Sequence, residues 1–187
     1  CLPQAWQVIG LDTSEWLVPG LKKKAWFLLM IDLATKLRVV SVIKIYPELA
    51  MQSESAEEII ESFSTSWLAH FPKPQMVVAD NAKSFTSVQL HEFFHAQGIE
   101  LKFPPEKEPW SHGIVEAAIA DIKHTATAIH LEALENSPDM TMSLACSALN
   151  STEFTAGFSA HQWAFGSHYA ISDEDTRLWQ SDRKSVV

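Results

Sequence analysis

The sequence predicts one α/β domain built on a mixed sheet, and three observations predict it. An apolar run from Ala25 to Ile31 lies between two further strand-like stretches with short connections, the pattern of an antiparallel meander. A helical stripe at Ala56, Ile59, Ile60, Phe63, Trp67 and Leu68 then precedes a short apolar strand, Met76 to Ala79, as in a crossover to a parallel strand. A composition of 47% apolar residues over 187 positions sustains one well-buried core with a tail.

Gln4 to Thr13 is the expected first strand, with Gln7, Ile9 and Leu11 on one face and Trp6, Val8, Gly10 and Asp12 on the other. Apolar residues on both faces make it a central strand, where a carboxylate is costly without a proton, a partner or a metal. The competing reading has Asp12 capping the strand end. Val18-Pro19-Gly20 is a turn, and Lys22 to Lys24 lead as a solvated shoulder into a second strand through Leu33. Asp32 is the rival first carboxylate. It leads into the turn Ala34-Thr35-Lys36, where a capping Asp is ordinary, so Asp12 is preferred. The third strand runs from Leu37 to Ile45.

Ser55 and Glu58 have capping-box spacing for the first helix, which Pro72 and Pro74 end. Met76 to Ala79 delivers Asp80 to a carboxyl edge, where open α/β sheets place their sites. Thr86 and Gln89 open a second helix, with Leu90, Phe93 and Phe94 inward and Gly98 as the stop. Ile99, Leu101 and Phe103 form a fifth strand, broken by Pro104 and Pro105, and the stretch to Pro109 is an expected exposed, mobile loop. A long helix from about Ser111 to Glu135 has the core stripe Val115, Ile119, Ile122, Ala126 and Ile129. His112, Glu116, Lys123, Thr127 and His130 share a different face of it. Ser137 and Pro138 open a last helix to about Asn150. Beyond it, Gly157 to Ser159 and Trp163 to Gly166 are candidates for docking on the body, and Ser172 to Val187 is expected to be a poorly ordered end. The organisation therefore reads as a core, 1–150, and a C-terminal extension, 151–187.

A formal net charge of −9 argues against indiscriminate phosphate binding, which needs a basic field. Residues 1–123 hold 11 Lys and Arg against 15 Asp and Glu, so part of the excess acid lies in the later chain. Carboxylates gathered for a divalent cation account for more. No apolar run approaches the roughly 20 residues of a membrane span. Cys1 and Cys146 give no disulfide framework and point to a reducing compartment, and a chain opening on Cys1 is expected to be cut from something longer.

The chemistry-bearing stretches are Asp80 to Phe85 and Pro109 to Glu116, with 35 residues between Asp80 and Glu116. Together with Asp12, these are three acids from separate elements, a pattern that suggests a metal site. Asp12, then Asp80-Asn81-x-Lys83-x-Phe85-Thr86-Ser87, Gly98-Ile99 and Pro109-x-x-x-Gly113-x-x-Glu116 together resemble the catalytic core of retroviral and long-terminal-repeat retrotransposon integrases, over roughly residues 5–135. The resemblance implies a ribonuclease-H-like fold, a five-stranded mixed sheet in order 3-2-1-4-5 with helices on both faces. It also implies that Asp12, Asp80 and Glu116 hold two Mg²⁺ or Mn²⁺ ions roughly 3.5 to 4 Å apart for phosphoryl transfer. Water would trim DNA ends and a 3′-hydroxyl would join them to target DNA. Asn81, Lys83, His112 and Lys123 would contact DNA, and the protein would work in the nucleus as a homo-oligomer.

Ala82 stands where the family favours Gly, and Ala117 and Ala120 where polar or basic residues are common. Trp110 and His112 stand where Gln is frequent, and neither the family's zinc module nor its basic C-terminal region is legible in these 187 residues. The alternative reading is therefore a catalytically inactive, integrase-derived module that binds nucleic acid or protein. A rival chemistry comes from His91-Glu92-Phe93-Phe94-His95, which matches the zinc-peptidase pattern. The longer version of that pattern wants a third His where Leu101 stands, which leaves a distant acid such as Glu116 as the third ligand.

Overall fold

Residues Ala25 to Leu33 are all buried, because β2 (Lys23–Asp32) is covered by helices on both faces. The computed structural model describes residues 4–51, 55–80, 85–103 and 109–166, with the side chains of 109–112 outside the description. β1 (Val8–Val18) and β3 (Arg38–Pro47) flank β2 antiparallel, and β1 pairs parallel with β4 (Met76–Ala79), which pairs parallel with β5 (Glu100–Lys102). The five-stranded order is β3-β2-β1-β4-β5, as the resemblance implied.

The first strand differs from its expected bounds at both ends. Gln4 to Gln7 form a turn, closed by a Gln7 N to Gln4 O bond of 3.2 Å with Trp6 at φ 69°, and the ladder with β2 continues through Val18. Asp12 thus lies inside the strand, opposite Leu29, and does not cap its end. Asp32 is the residue that caps. It is fully buried, and its Oδ2 accepts from Thr35 Oγ1 at 2.7 Å and from Trp6 N at 3.3 Å, while its Oδ1 accepts from Ala34 N at 3.3 Å.

Helix α1 (Ala56–Phe63) starts at Ser55, where both bonds of the capping box form, and widens into a π-helical turn over Ser64–Leu68. The N-cap of α2 (Val88–Ala96) is Ser87, whose hydroxyl accepts from Leu90 N; Gly98 follows at φ 67°. α1 and α2 cover one face, packing Ile59, Phe63 and Phe94 against Ile9, Leu11 and Met30. α3 (Pro109–Glu132) and α4 (Pro138–Thr152) cover the other, packing Ile119, Ile122 and Met142 against Phe27, Leu29 and Ile31.

The expected core stripe of α3 is buried at Val115, Ile119, Ile122 and Ala126 and half-buried at Ile129. The second face changes along its length: Glu116 is exposed, Lys123 and Thr127 are half-buried, and His130 is fully buried. Trp16 causes this. Its Nε1 donates to Thr127 Oγ1 at 3.0 Å and its ring meets His130 edge-on, which draws the end of that face into the core. After α4 come a small hairpin, β6 (Phe154–Thr155) and β7 (Phe158–Ser159), and α5 (Ala160–Phe165). Phe165 packs on Trp6 and Phe71, with ring centroids 5.4 and 6.3 Å apart. The expected mobile loop at Glu106 to Glu108 and the expected disordered end from Ser172 lie outside the described residues. Among the described residues, no helix is long and apolar enough to cross a membrane.

α3 sits close on the sheet at Gly10. A Cβ on Gly10 would stand 2.8 Å from Val115 Cγ2 and 3.2 Å from Ile31 Cγ2 and from Leu33 Cδ2. Gly10→Ala should therefore push α3 off β1 and cost about 1 to 3 kcal/mol, as overpacking does. In urea unfolding, adding Val115→Ala to Gly10→Ala should recover part of that loss. Strictly additive losses would show that the two residues do not bear on one another.

Candidate metal site at the carboxyl edge of the central strands

The site is set by register. Leu11 on β1 stands beside Ala79, the last residue of β4, so Asp12 and Asp80 are the next residues on adjacent parallel strands. Ile9, Leu11, Val77 and Ala79 all enter the core under α1 and α2, and alternation turns Asp12 to the face that α3 covers. Val115 sits over Gly10, two residues before Asp12, and Glu116 is its neighbour on α3. Asp12 is half-buried, while Asp80 and Glu116 are exposed.

The backbone thus gathers three acids from three elements at one edge. Their side chains do not converge on one point: among the described residues, no group of three His, Cys, Asp or Glu is close enough to hold a metal. Asp12 Oδ1 instead accepts from Thr13 N at 2.7 Å. Drawing carboxylates together costs repulsion that a cation repays, and their oxygens form the hard donor set that Mg²⁺ or Mn²⁺ takes. By donor type alone, one half-buried and two exposed carboxylates are groups that such an ion takes.

Of the residues expected at DNA, Asn81 and Lys83 lie outside the described residues, as does the side chain of His112. Lys123 is half-buried, not splayed into solvent. Burial lowers its pKa, while the charges of Glu15 and Asp12 pull it back up. The zinc-peptidase pattern does not assemble. His91, Glu92 and His95 are exposed on α2, the His91 ring lies 5.6 Å from that of Phe103, and Glu116 belongs to the helix on the opposite face of the sheet.

Sequence reasoning missed Glu15. Its carboxylate accepts from the Tyr46 hydroxyl and pairs with Lys24 Nζ at 3.0 Å. Tyr46 is first among the causes that lower the Glu15 pKa, followed by Lys24, and burial with the Glu15 charge raises that of Tyr46. The available signal was the Val18-Pro19-Gly20 turn, which brings an acid and a base at similar distances on either side of it together across a hairpin.

A five-stranded sheet in this order with helices on both faces is a ribonuclease-H-like fold. Within that class the fold is that of a retroviral integrase catalytic core. The chain is similar to the integrase catalytic core of HTLV-2, in a dimeric form with magnesium, at a TM-score of 0.71 and 19% identity, covering 88% of this chain and 99% of that one. The BIV integrase catalytic core aligns at 0.68 and 16% identity, covering 96% and 99%. The simian T-cell lymphotropic virus intasome, in complex with the PP2A regulatory subunit B56 gamma, aligns at 0.72 and 15% identity, covering 92% of this chain and 61% of that one. No protein-family model and no curated protein matches the sequence.

Because the Glu15 pKa is lowered from 4.5, its interactions stabilise the fold fully above that value and are lost as pH falls below it. Tyr46→Phe should cost about 1 to 2 kcal/mol near neutral pH, discounted from a charged hydrogen bond because Glu15 is partly exposed. Chemical denaturation across pH 2 to 7 should show the gap from the unchanged protein closing below about pH 4.5; a gap constant with pH would remove Glu15 as its source.

Proposed function

We propose that this chain is a retroelement integrase core that cuts and joins DNA by metal-dependent phosphoryl transfer, with residues 1–150 as the catalytic unit and 151–187 as its extension. The observation that carries the reading is the pairing of Leu11 with Ala79, which sets Asp12 beside Asp80 on the face where α3 presents Glu116. Asp12, Asp80 and Glu116 are the residues that would hold two divalent ions. When bound, such ions supply charge stabilisation for attacking and leaving oxygens in an in-line displacement at phosphorus. The chain's own part is to hold the three carboxylates on rigid elements. Asp12 is fixed by a ten-rung ladder with β2, and Glu116 by the Gly10–Val115 joint. Asn81, Lys83, His112 and Lys123 would position the DNA backbone, two DNA ends would call for a homo-oligomer, and the target would place the work in the nucleus.

A second reading keeps the fold without catalysis, as a module that binds nucleic acid or protein. A net charge of −9 and a half-buried Lys123 held in the field of Glu15 and Asp12 favour it, since both weaken a basic path to the site.

The two separate on a branched DNA substrate with Mg²⁺ or Mn²⁺. The enzyme reading predicts metal-dependent strand transfer that Asp80→Asn lowers by about 10²-fold or more, the loss of several kcal/mol of transition-state stabilisation. Equal residual cutting by both proteins, folded alike by circular dichroism, would leave the binding module. Lys123→Ala should weaken DNA binding for all sequences and flatten the salt dependence by about one charge. An unchanged salt slope would take Lys123 out of the interface.

A further inference from the structure

His91 and His95 on α2 have no third ligand among the described residues, yet their spacing has chemistry of its own. Leu90 and Phe94, also four residues apart, are fully buried and fix their side of α2 in the core. His91 and His95 are the next residue in each of those turns. They therefore stand one above the other about 100° further round the helix, and both are exposed. The helix holds them there: Ser87 caps its start, His91 N donates to Ser87 O at 3.2 Å, and Ile99 N donates to Phe94 O at 2.9 Å just past its end. None of the other histidines in the chain has a histidine three or four residues away.

Helical side chains lean toward the N-terminus, which turns a residue back over the one four positions before it, across roughly 5 to 6 Å between Cβ atoms. Two imidazole nitrogens, each about 2.0 to 2.1 Å from one ion, fit that gap. Among the described residues neither imidazole makes a hydrogen bond or an ion pair, so no bond has to be broken to free them. The Phe103 ring, 5.6 Å from that of His91, is an apolar neighbour that competes for neither nitrogen.

Donor type sets the ion. Imidazole takes Zn²⁺, Cu²⁺ and Ni²⁺, whereas Mg²⁺ takes oxygen and Mn²⁺ lies lowest in the first-row affinity order. The pair thus differs in kind from the acid edge, and α2 covers the opposite face of the sheet from α3.

We propose that His91 and His95 form a two-histidine chelate for a divalent ion of the imidazole-binding class, with the remaining coordination positions open to water or to a donor from outside the helix. The chelate is separate from the acid edge and holds whether or not that edge transfers phosphoryl groups.

The test titrates Zn²⁺ into the full 187-residue chain at about pH 7.5, since ligands must be deprotonated, and follows the imidazole resonances. His91 and His95 should shift together at one midpoint, and Mg²⁺ should move neither. The deciding variant exchanges the last two residues of α2, His95→Ala with Ala96→His, at two exposed positions. It keeps the number of histidines but moves the two rings from about 40° to about 140° apart round the helix. Without added metal its melting temperature should match that of the unchanged chain, while its Zn²⁺ affinity at α2 should fall at least about tenfold. Equal affinity in the exchanged variant would mean two independent imidazoles and overturn the chelate. So would Zn²⁺ shifting one ring of the pair without the other, or no saturable shift of either.

Discussion

The contact on which the rest depends is the seat of Val115 on Gly10. A sheet with one helix layer on each face fixes its strands well, but a helix can slide or tilt over strands unless something keys it. Here the key is a missing Cβ: any side chain at residue 10 would strike Val115 and then Ile31 and Leu33. That one contact sets the height at which α3 crosses β1. It thereby ties Glu116, remote in sequence from Asp12, to the level of the sheet at which Asp12 and Asp80 emerge.

Around that joint the charges follow a consistent logic. Of the three edge acids only Asp12 is half-buried, and it has a half-buried lysine within its electrostatic reach, while Asp80 and Glu116 face water. An acidic protein therefore does not present three uncompensated charges in its core. Two of the carboxylates serve Arg38, which joins the start of β3 to α3 and to the end of α4 by pairing two acids with one nitrogen. Asn150 adds to the same clasp, its Oδ1 accepting from Arg38 N and its Nδ2 donating to Arg38 O. α4 is thus stitched to β3 on the side of the domain away from the acid edge.

Much of this was legible in the residues, for reasons that differ by element. Met76 to Ala79 was found with its full bounds, because a short apolar run between Pro74 and an acid allows little else. The relation of Asp12 to Asp80 follows from the crossover helix, which makes their strands parallel neighbours. The start of β1 was not legible: the left-handed backbone at Trp6 leaves no mark in an apolar pattern. Nor was the widened turn after Phe63, where Ser64 to Ser66 are poor helix formers and Thr65 bonds back to Glu61 O. The burial of His130 and the ion pairs of Arg38 depend on side chains far apart in the chain, and one helix face read from periodicity cannot show that its far end turns inward against Trp16.

The most direct test of the central claim is where a divalent ion sits on the folded chain. Mn²⁺ added in substoichiometric amounts should broaden the amide resonances around residues 12, 80 and 116 before any others, and Asp80→Asn should abolish that selectivity. Broadening centred elsewhere, or unchanged by the substitution, would contradict a metal site at this edge and leave the fold without its proposed chemistry.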